Sequence, residues 1–258
     1  MDAVTWLDLH IDPQSPIPLY YQIRENLREL ILSEKLAPGD AIPSERELSQ
    51  VYKVNRLTVR QAITELVNEG LLYRQQGVGT FVAQPKITQA MPTLMGFTDR
   101  MLQAGQCPSS RVLLLEEIPA PDSVLRPLGL SPGAMVIRLV RLRLVNGEPF
   151  MLETTFLSQT MFPDLATHDL ENQSLYRLFL EVYGVPAIEA DEIIEPVALT
   201  QYEAELLETE VHKPALLVEG TVYTHGKRPV EFTRSLVRGD KARYHFRIHR
   251  YGDNTTTG

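Results

Sequence analysis

The chain has 258 residues, 43% of them apolar, with a formal charge of −8 and one cysteine, Cys107. That length and apolar content leave room for two cores and, with no low-complexity tract, exclude a disordered or fibrous chain. A lone cysteine excludes an intrachain disulfide, and the opening MDAVTWLDLHID has neither a basic n-region nor a long apolar run. No secretion signal or membrane span is therefore expected, and the setting is expected to be cytoplasmic.

The first predicted element is a helix over 18–31, with Leu19, Ile23, Leu27, Leu30 and Ile31 on one face, followed by a turn at Pro38-Gly39. Ser44 and Glu47 have the spacing of a capping box, in which hydroxyl and carboxylate each satisfy an orphan backbone N–H at a helix start. A second helix therefore begins near Ser44, turns Leu48, Val51 and Tyr52 inward, and stops at Lys53-Val54. Asn55 is a good N-cap for a third helix. On it Val59, Ala62, Ile63, Leu66 and Val67 form one apolar stripe, and Gly70 supplies the left-handed residue that ends it. The opposite face carries Asn55, Arg56, Thr58, Arg60 and Gln61 in its first two turns, where a recognition helix presents donors to base edges and phosphates. Beyond Gly70 the period becomes extended. Runs at 71–75 and 80–83 flank Gln76-Gly77-Val78-Gly79, a hairpin tip whose glycines let backbone amides approach a phosphate without a Cβ in the way.

Helix, turn, helix, helix and wing is the order of a winged helix-turn-helix. The blocks PLYYQI, LAPGDAIPSERELS and NRLTVRQAITELVNEGLLYRQQGVGTFVA resemble the GntR family of bacterial repressors over nearly all of 17–83. The resemblance implies a DNA-binding domain over 17–83, with Arg46 on the DNA backbone and Arg56, Thr58, Arg60 and Gly77 at the duplex. Ser44, Asn55, Gln76 and Gly79 complete the candidate contacts, and the expected partner is a palindromic double-stranded operator. Residues 17–86 hold nine Lys or Arg against eight Asp or Glu, and residues 87–258 hold sixteen against twenty-two. So weak a positive balance predicts modest non-specific affinity and steep salt sensitivity, and favours a homodimer that doubles the contacts.

Residues 84–93, QPKITQAMPT, carry two prolines and little periodicity, and are expected to be a linker. Beyond it extended runs are predicted at 111–118, 135–145, 150–157, 188–197, 216–224 and 230–238, with helices between them. One helix, 174–183, puts Leu175, Leu178, Phe179 and Val182 on one face and ends at Gly184. Another starts at Thr200 with a second capping box to Glu203. Helices beside hairpin-linked strands predict an α+β domain with an antiparallel sheet. On the strand 135–145, Arg141 and Arg143 share one face and Arg138 takes the other. Such a pair suits an anion, and is equally accounted for by solvent or by neighbouring carboxylates. The turn after it has two solutions. A two-residue Asn146-Gly147 loop puts Glu153 on the face away from Arg141, whereas a three-residue loop over 145–147 shifts the register by one and brings Glu153 beside the arginines.

GFTDRM, RLVRLRLVNGEPFMLETTFL, SLYRLFLEVYGV and GKRPVEFTRSLVRGD resemble, in that order, the UTRA effector domain of the HutC branch of the same family. This resemblance spans about 94–250 and implies a chorismate lyase-like fold. It also implies a small anionic effector, often a sugar phosphate, held by Phe97, Thr98, Arg141, Arg143, Glu153, Ser174, Tyr176 and Glu231. It favours the three-residue loop, which joins Glu153 to the arginines. Thr98 is expected to open a short helix over 98–102. Relatives carry a tyrosine where this chain has Val237, which leaves a small acid other than a sugar phosphate open as the effector. The competing class is an enzyme of the chorismate lyase-like fold, but no nucleophile–base signature accompanies the carboxylates. His245 and His249 lack a third ligand and Asp191, Glu192 and Glu195 form an acidic run suited to a solvated face, so neither metal nor cofactor is expected.

Overall fold

The computed structural model describes residues 10–91 and 94–247. It divides into two compact units: residues 1–86 with 239–241, and residues 87–238 with 242–258.

In the first unit α1 (Leu19–Leu32), α2 (Glu45–Tyr52) and α3 (Arg56–Asn68) are followed by a hairpin of β1 (Leu72–Gln75) and β2 (Gly79–Val82). The capping box forms: the Ser44 amide donates to Glu47 Oε2 at 2.8 Å, and the Glu47 amide to Ser44 Oγ at 3.3 Å. Lys53, left-handed at φ 51°, closes α2, and Asn55 Oδ1 accepts from the Leu57 amide at 2.9 Å to open α3. The far end of α3 is a Schellman closure, with Leu71 N–H donating to the Leu66 carbonyl and Gly70 N–H to that of Val67. The three stripes meet in one core of Ile23, Leu27, Leu30, Leu48, Tyr52, Val59, Ala62, Ile63 and Leu66, closed below by Leu72 and Val82 of the hairpin. Burial of each aliphatic side chain contributes ~1.5–3 kcal/mol, which is what holds helices too short to persist alone. The segment before α2 runs beside β2, with Ile42 N–H on the Thr80 carbonyl and Gly39 N–H on that of Val82, so the wing is fastened on its free side.

The second unit opens with β3 (Ile87–Met91) and α4 (Phe97–Gln103). It continues through β4 (Pro108–Pro119), α5 (Asp122–Leu125), β5 (Met135–Val145), β6 (Glu148–Ser158) and α6 (Leu175–Tyr183). It ends with β7 (Glu189–Ala198), α7 (Gln201–Leu206), β8 (Pro214–Thr224), β9 (Arg228–Arg238) and β10 (Ala242–Phe246). Six strands form an antiparallel sheet in the order β4-β5-β6-β9-β8-β7. On one face α6 sets Leu175, Leu178 and Phe179 against Ile137, Leu139 and Leu157, while Met101 of α4 packs with Val145, Met151 and Val237. On the other, α7 covers Leu142 and Leu152, and α5 covers Val136 and Phe156.

Four expectations are corrected. The span 84–93 is not all linker: Ile87–Met91 is a strand, paired in parallel with β10, where Gln89 lies opposite Tyr244. Periodicity hid this pair because its two halves lie some 150 residues apart in sequence. Val182, expected on the inner face of α6, is 52% exposed. The α4 helix starts one residue before Thr98, capped by Gly96. Finally, the β5–β6 turn is the two-residue one: Val145 pairs with Glu148 across Asn146 (φ 53°) and Gly147 (φ 84°). These left-handed residues make the tight turn that Asn-Gly favours.

The register shift was expected from the loop and comes instead from a bulge. Leu144 pairs with Pro149 but Arg143 pairs with Met151, so Phe150 is the extra residue and Arg141 stands opposite Glu153. Without that bulge Glu153 would face the Leu142 and Leu152 side of the sheet, where an unpaired carboxylate costs far more than a local break in the ladder.

Candidate functional site

On the first unit, the polar start of α3, the start of α2 and the hairpin tip supply the predicted nucleic-acid interface. Ser44, Arg46, Asn55, Arg56, Arg60, Gln76, Gly77 and Gly79 are exposed, and Thr58 is half-buried. Arg46 and Arg56 form no ion pair with a carboxylate among the described residues, although Arg46 lies in the field of Glu47 and Arg56 in that of Glu45. Arg60 is held differently. Its Nε and Nη2 grip both oxygens of Glu45 at 2.8–3.1 Å, tying the recognition helix to α2. Hydrogen bonding from Arg60 keeps the Glu45 carboxyl below its ordinary range. Arg74 of the wing, which sequence reasoning missed, donates to Thr64 Oγ1 at 2.8 Å and approaches the same Glu45 at 4.0 Å. Its alternation on β1 was visible, but its partners come from two other elements. Gly77 has φ +74° and open space where a Cβ would stand, so its requirement is backbone conformation alone.

On the second unit all eight predicted effector residues line one cavity of about 90 Å³: Phe97, Thr98, Arg141, Arg143, Glu153, Ser174, Tyr176 and Glu231. Strand alternation explains the grouping. Arg141 and Arg143 on β5, Met151 and Glu153 on β6, Glu231, Thr233, Ser235 and Val237 on β9 and Val218 on β8 share one sheet face. Glu153 Oε1 accepts from Arg141 Nη2 at 2.7 Å and from Arg143 Nε and Nη2 at 3.2 and 2.9 Å. Arg143 also donates to Ser110 Oγ at 2.7 Å and lies 5.1 Å beneath the Phe97 ring. Ser174 caps α6 and donates to Asp99 Oδ2 at 3.1 Å.

Electrostatics separate the two carboxylates. Burial pushes Glu153 up, but Arg143 and Arg141 outweigh it and hold its pKa at about 2. Burial raises Glu231 to about 7, helped by the Glu153 charge and opposed by Arg141. Arg141 is drawn down to about 10, chiefly by burial, against the pull of Glu153. Arg141 Nε and Glu231 Oε2 are buried with no hydrogen-bond partner. With two guanidiniums on one carboxylate, the cluster keeps a net positive charge and unspent donor and acceptor capacity, the composition of an anion site that also accepts a hydroxyl or amino group.

Several lining residues lay outside the sequence-predicted set: Gln89, Arg100, Glu192, Thr233, Ser235 and Tyr244. Thr233 and Ser235 were legible, since they alternate with Glu231 in VEFTRSLV. Gln89 and Tyr244 were not, because their strand pairing went unseen. His245 lies on β10 and His249 outside the described residues. Among the described residues no helix is long and apolar enough to cross a membrane.

A winged helix-turn-helix joined in one chain to a domain with a small charged cavity is the build of a DNA-binding regulator that responds to a ligand. Residues 19–82 match the gntR family of bacterial regulatory proteins, and residues 103–243 match the UTRA domain. The HTH-type transcriptional repressor NagR of Bacillus subtilis (strain 168) is 36% identical over 233 residues, 90% of this chain and 96% of that protein. The mannosyl-D-glycerate transport/metabolism system repressor MngR of Escherichia coli (strain K12) is 32% identical over 88% of this chain and 94% of its own length. The crystal structure of PhnF from Mycobacterium smegmatis has a TM-score of 0.62 and 29% identity, covering 88% of this chain and 99% of that one. The chain belongs to the GntR family of bacterial transcriptional regulators, in the branch that carries a UTRA domain. These relatives are named as regulators, and nothing in the comparison supports the enzyme reading.

Proposed function

We propose that this regulator is a cytoplasmic repressor, dimeric on a palindromic operator, whose grip is released by a small anionic metabolite such as a sugar phosphate. The observation that carries the effector half is the buried Arg141–Glu153–Arg143 cluster sharing one cavity with Glu231. Arg141 and Arg143 neutralise the anionic group, while Glu153 and Glu231 take hydrogen bonds from hydroxyl or amino groups. Phe97, Thr98, Ser174 and Tyr176 complete the walls. On the DNA side, Arg56, Thr58 and Arg60 read or clamp from α3 with Asn55. Arg46 and Ser44 approach the backbone at α2, and Gln76, Gly77 and Gly79 approach at the wing. An effector that binds the DNA-free arrangement more tightly than the operator-bound one weakens operator binding by that difference.

A thermal-shift screen of sugar phosphates and small carboxylates on the full chain tests the effector half, because a ligand of the folded state alone raises the melting temperature. Hits are then added to the chain bound to DNA from upstream of its own gene. Release of that DNA supports the reading. A hit that leaves the Arg141→Ala, Arg143→Ala double variant equally responsive shows that the anion is held elsewhere.

A further inference from the structure

We propose that Arg100 anchors a carboxylate on the effector, making the ligand a two-ended anion with a phosphoryl group at Arg141 and Arg143 and a carboxylate at Arg100. This deepens, and rests on, the effector-site reading above. Arg100 lines the cavity from α4. Unlike Arg141 and Arg143, which share Glu153, it forms no ion pair with a carboxylate among the described residues. Its Nη1 donates to the side-chain oxygen of Gln89 at 2.7 Å and its Nη2 to the Met95 carbonyl at 2.9 Å. Both acceptors are neutral, so they orient the guanidinium without discharging it. The Nε–H is buried and has no hydrogen-bond partner. With Nη1 and Nη2 each holding a neutral acceptor, Nε–H is the donor left for a carboxylate oxygen, and the full positive charge strengthens that bond.

Position separates this charge from the other two. The Gln89 that orients Arg100 is opposite Tyr244 on β10, and Tyr244 packs against the cluster that holds Met101 of α4, Met151 of β6, Val218 of β8 and Val237 of β9. Arg141 and Arg143 stand on β5, two strands from β9 and three from β8 in the sheet order. Arg100 thus enters the cavity from a helix and the other two arginines from the sheet, so one ligand meets both with a charge at each end of a short polyol. Tyr244 senses the same neighbourhood: burial raises its pKa to about 12, with Arg100 pulling it down and Glu192 at the rim pushing it up.

Calorimetric titration of the full chain with a matched pair tests the assignment: sorbitol 6-phosphate and 6-phosphogluconate differ only by a hydroxymethyl group or a carboxylate at the first carbon. Wild type is expected to prefer 6-phosphogluconate by about tenfold, the worth of one charge-assisted hydrogen bond, and Arg100→Gln to bring the ratio to about two or less. Equal binding of the two probes by wild type, or a preference that survives Arg100→Gln, overturns the inference while leaving the effector site standing. Binding of neither probe to wild type removes the phosphoryl-site reading and this inference with it. Where Arg100→Gln fails to fold, Arg100→Lys decides: it keeps charge without the Nε–H donor, so a reduced preference supports the assignment and an undiminished one overturns it.

Discussion

Two buried carboxylates in the field of the same guanidiniums behave oppositely, and the difference is which of them the arginines touch. Glu153 is bonded to both, so its removal strands two buried cations; Glu153→Ala is expected to cost ~3–5 kcal/mol of stability in urea unfolding. Glu231 is close to that cluster but unbonded to it, and its folded pKa of about 7 lies above the ordinary 4.5. The folded state therefore holds this proton more tightly than the unfolded chain. Stability from this group is complete below pH 4.5 and is lost as pH rises through about 7, an effect of roughly 3 kcal/mol. Glu231→Gln is expected to flatten stability across that window, and a slope that persists in the variant would assign it to another group. Glu153 runs the other way, contributing above pH 4.5 and losing its contribution as pH falls toward 2. On the DNA side, Arg60→Ala should weaken operator binding by ~1–3 kcal/mol if it reads bases. Glu45→Gln frees Arg60 from its brace, and because Arg60 is exposed and Glu45 only half-buried it should change stability by less than about 1 kcal/mol. Operator titration at matched salt checks the first and urea unfolding the second; an unaffected Arg60→Ala affinity removes Arg60 from the interface.

Helix ends and strand irregularities, rather than the regular stretches, set where the side chains point. The Gly70 closure of α3 is one such end: its φ is +74°, and a Cβ there would come within 2.6 Å of the Asp240 carbonyl oxygen. Gly70→Ala is expected to lower the melting temperature by several degrees, the combined result of left-handed strain and a backbone clash, and an unchanged melting curve would mean that the 239–241 loop yields at no cost. The Phe150 bulge is the other. Caps and most apolar stripes were legible in the sequence because each is decided within a turn or two of helix, as Ser44, Asn55 and Thr200 illustrate, whereas the Asn146-Gly147 turn was expected with the wrong length. The bulge was not, because an extra residue in a strand leaves the alternation on either side looking regular.

Across the whole molecule the charge is divided unevenly, with the reader close to neutral and the acids concentrated beyond residue 87. A single reader with so little excess charge makes a weak ligand for DNA, which is the basis for proposing two copies on one operator. The slope of log affinity against log salt should then correspond to roughly twice the phosphate contacts of one reader, each worth about −0.9. Sedimentation of the free protein together with that slope tests the proposal; a monomer whose full affinity is reached at one half-site rejects it. The chain passes between the two units at 86–87, 238–239 and 241–242. Gln89, Val237 and Tyr244 of the cavity lie within five residues of those crossings. Strain set up at the cavity therefore has short covalent routes to the reader's own segments.

Local sequence by itself determined the winged reader, the six sheet strands, and the alternation that puts Arg141 with Arg143 and Glu231 with Thr233 and Ser235. These depend on hydrophobic period and capping, which act over a few residues. Family resemblance added Glu153, Ser174 and Tyr176 to the site but attached the register shift to the wrong feature. Only tertiary structure decided that a bulge supplies that shift, that Gln89 and Tyr244 meet on a parallel pair, and that Arg100 reaches the cavity with its charge unspent. Each of those depends on a contact between segments far apart in the chain, and no local pattern records which distant partner a strand or a guanidinium will find.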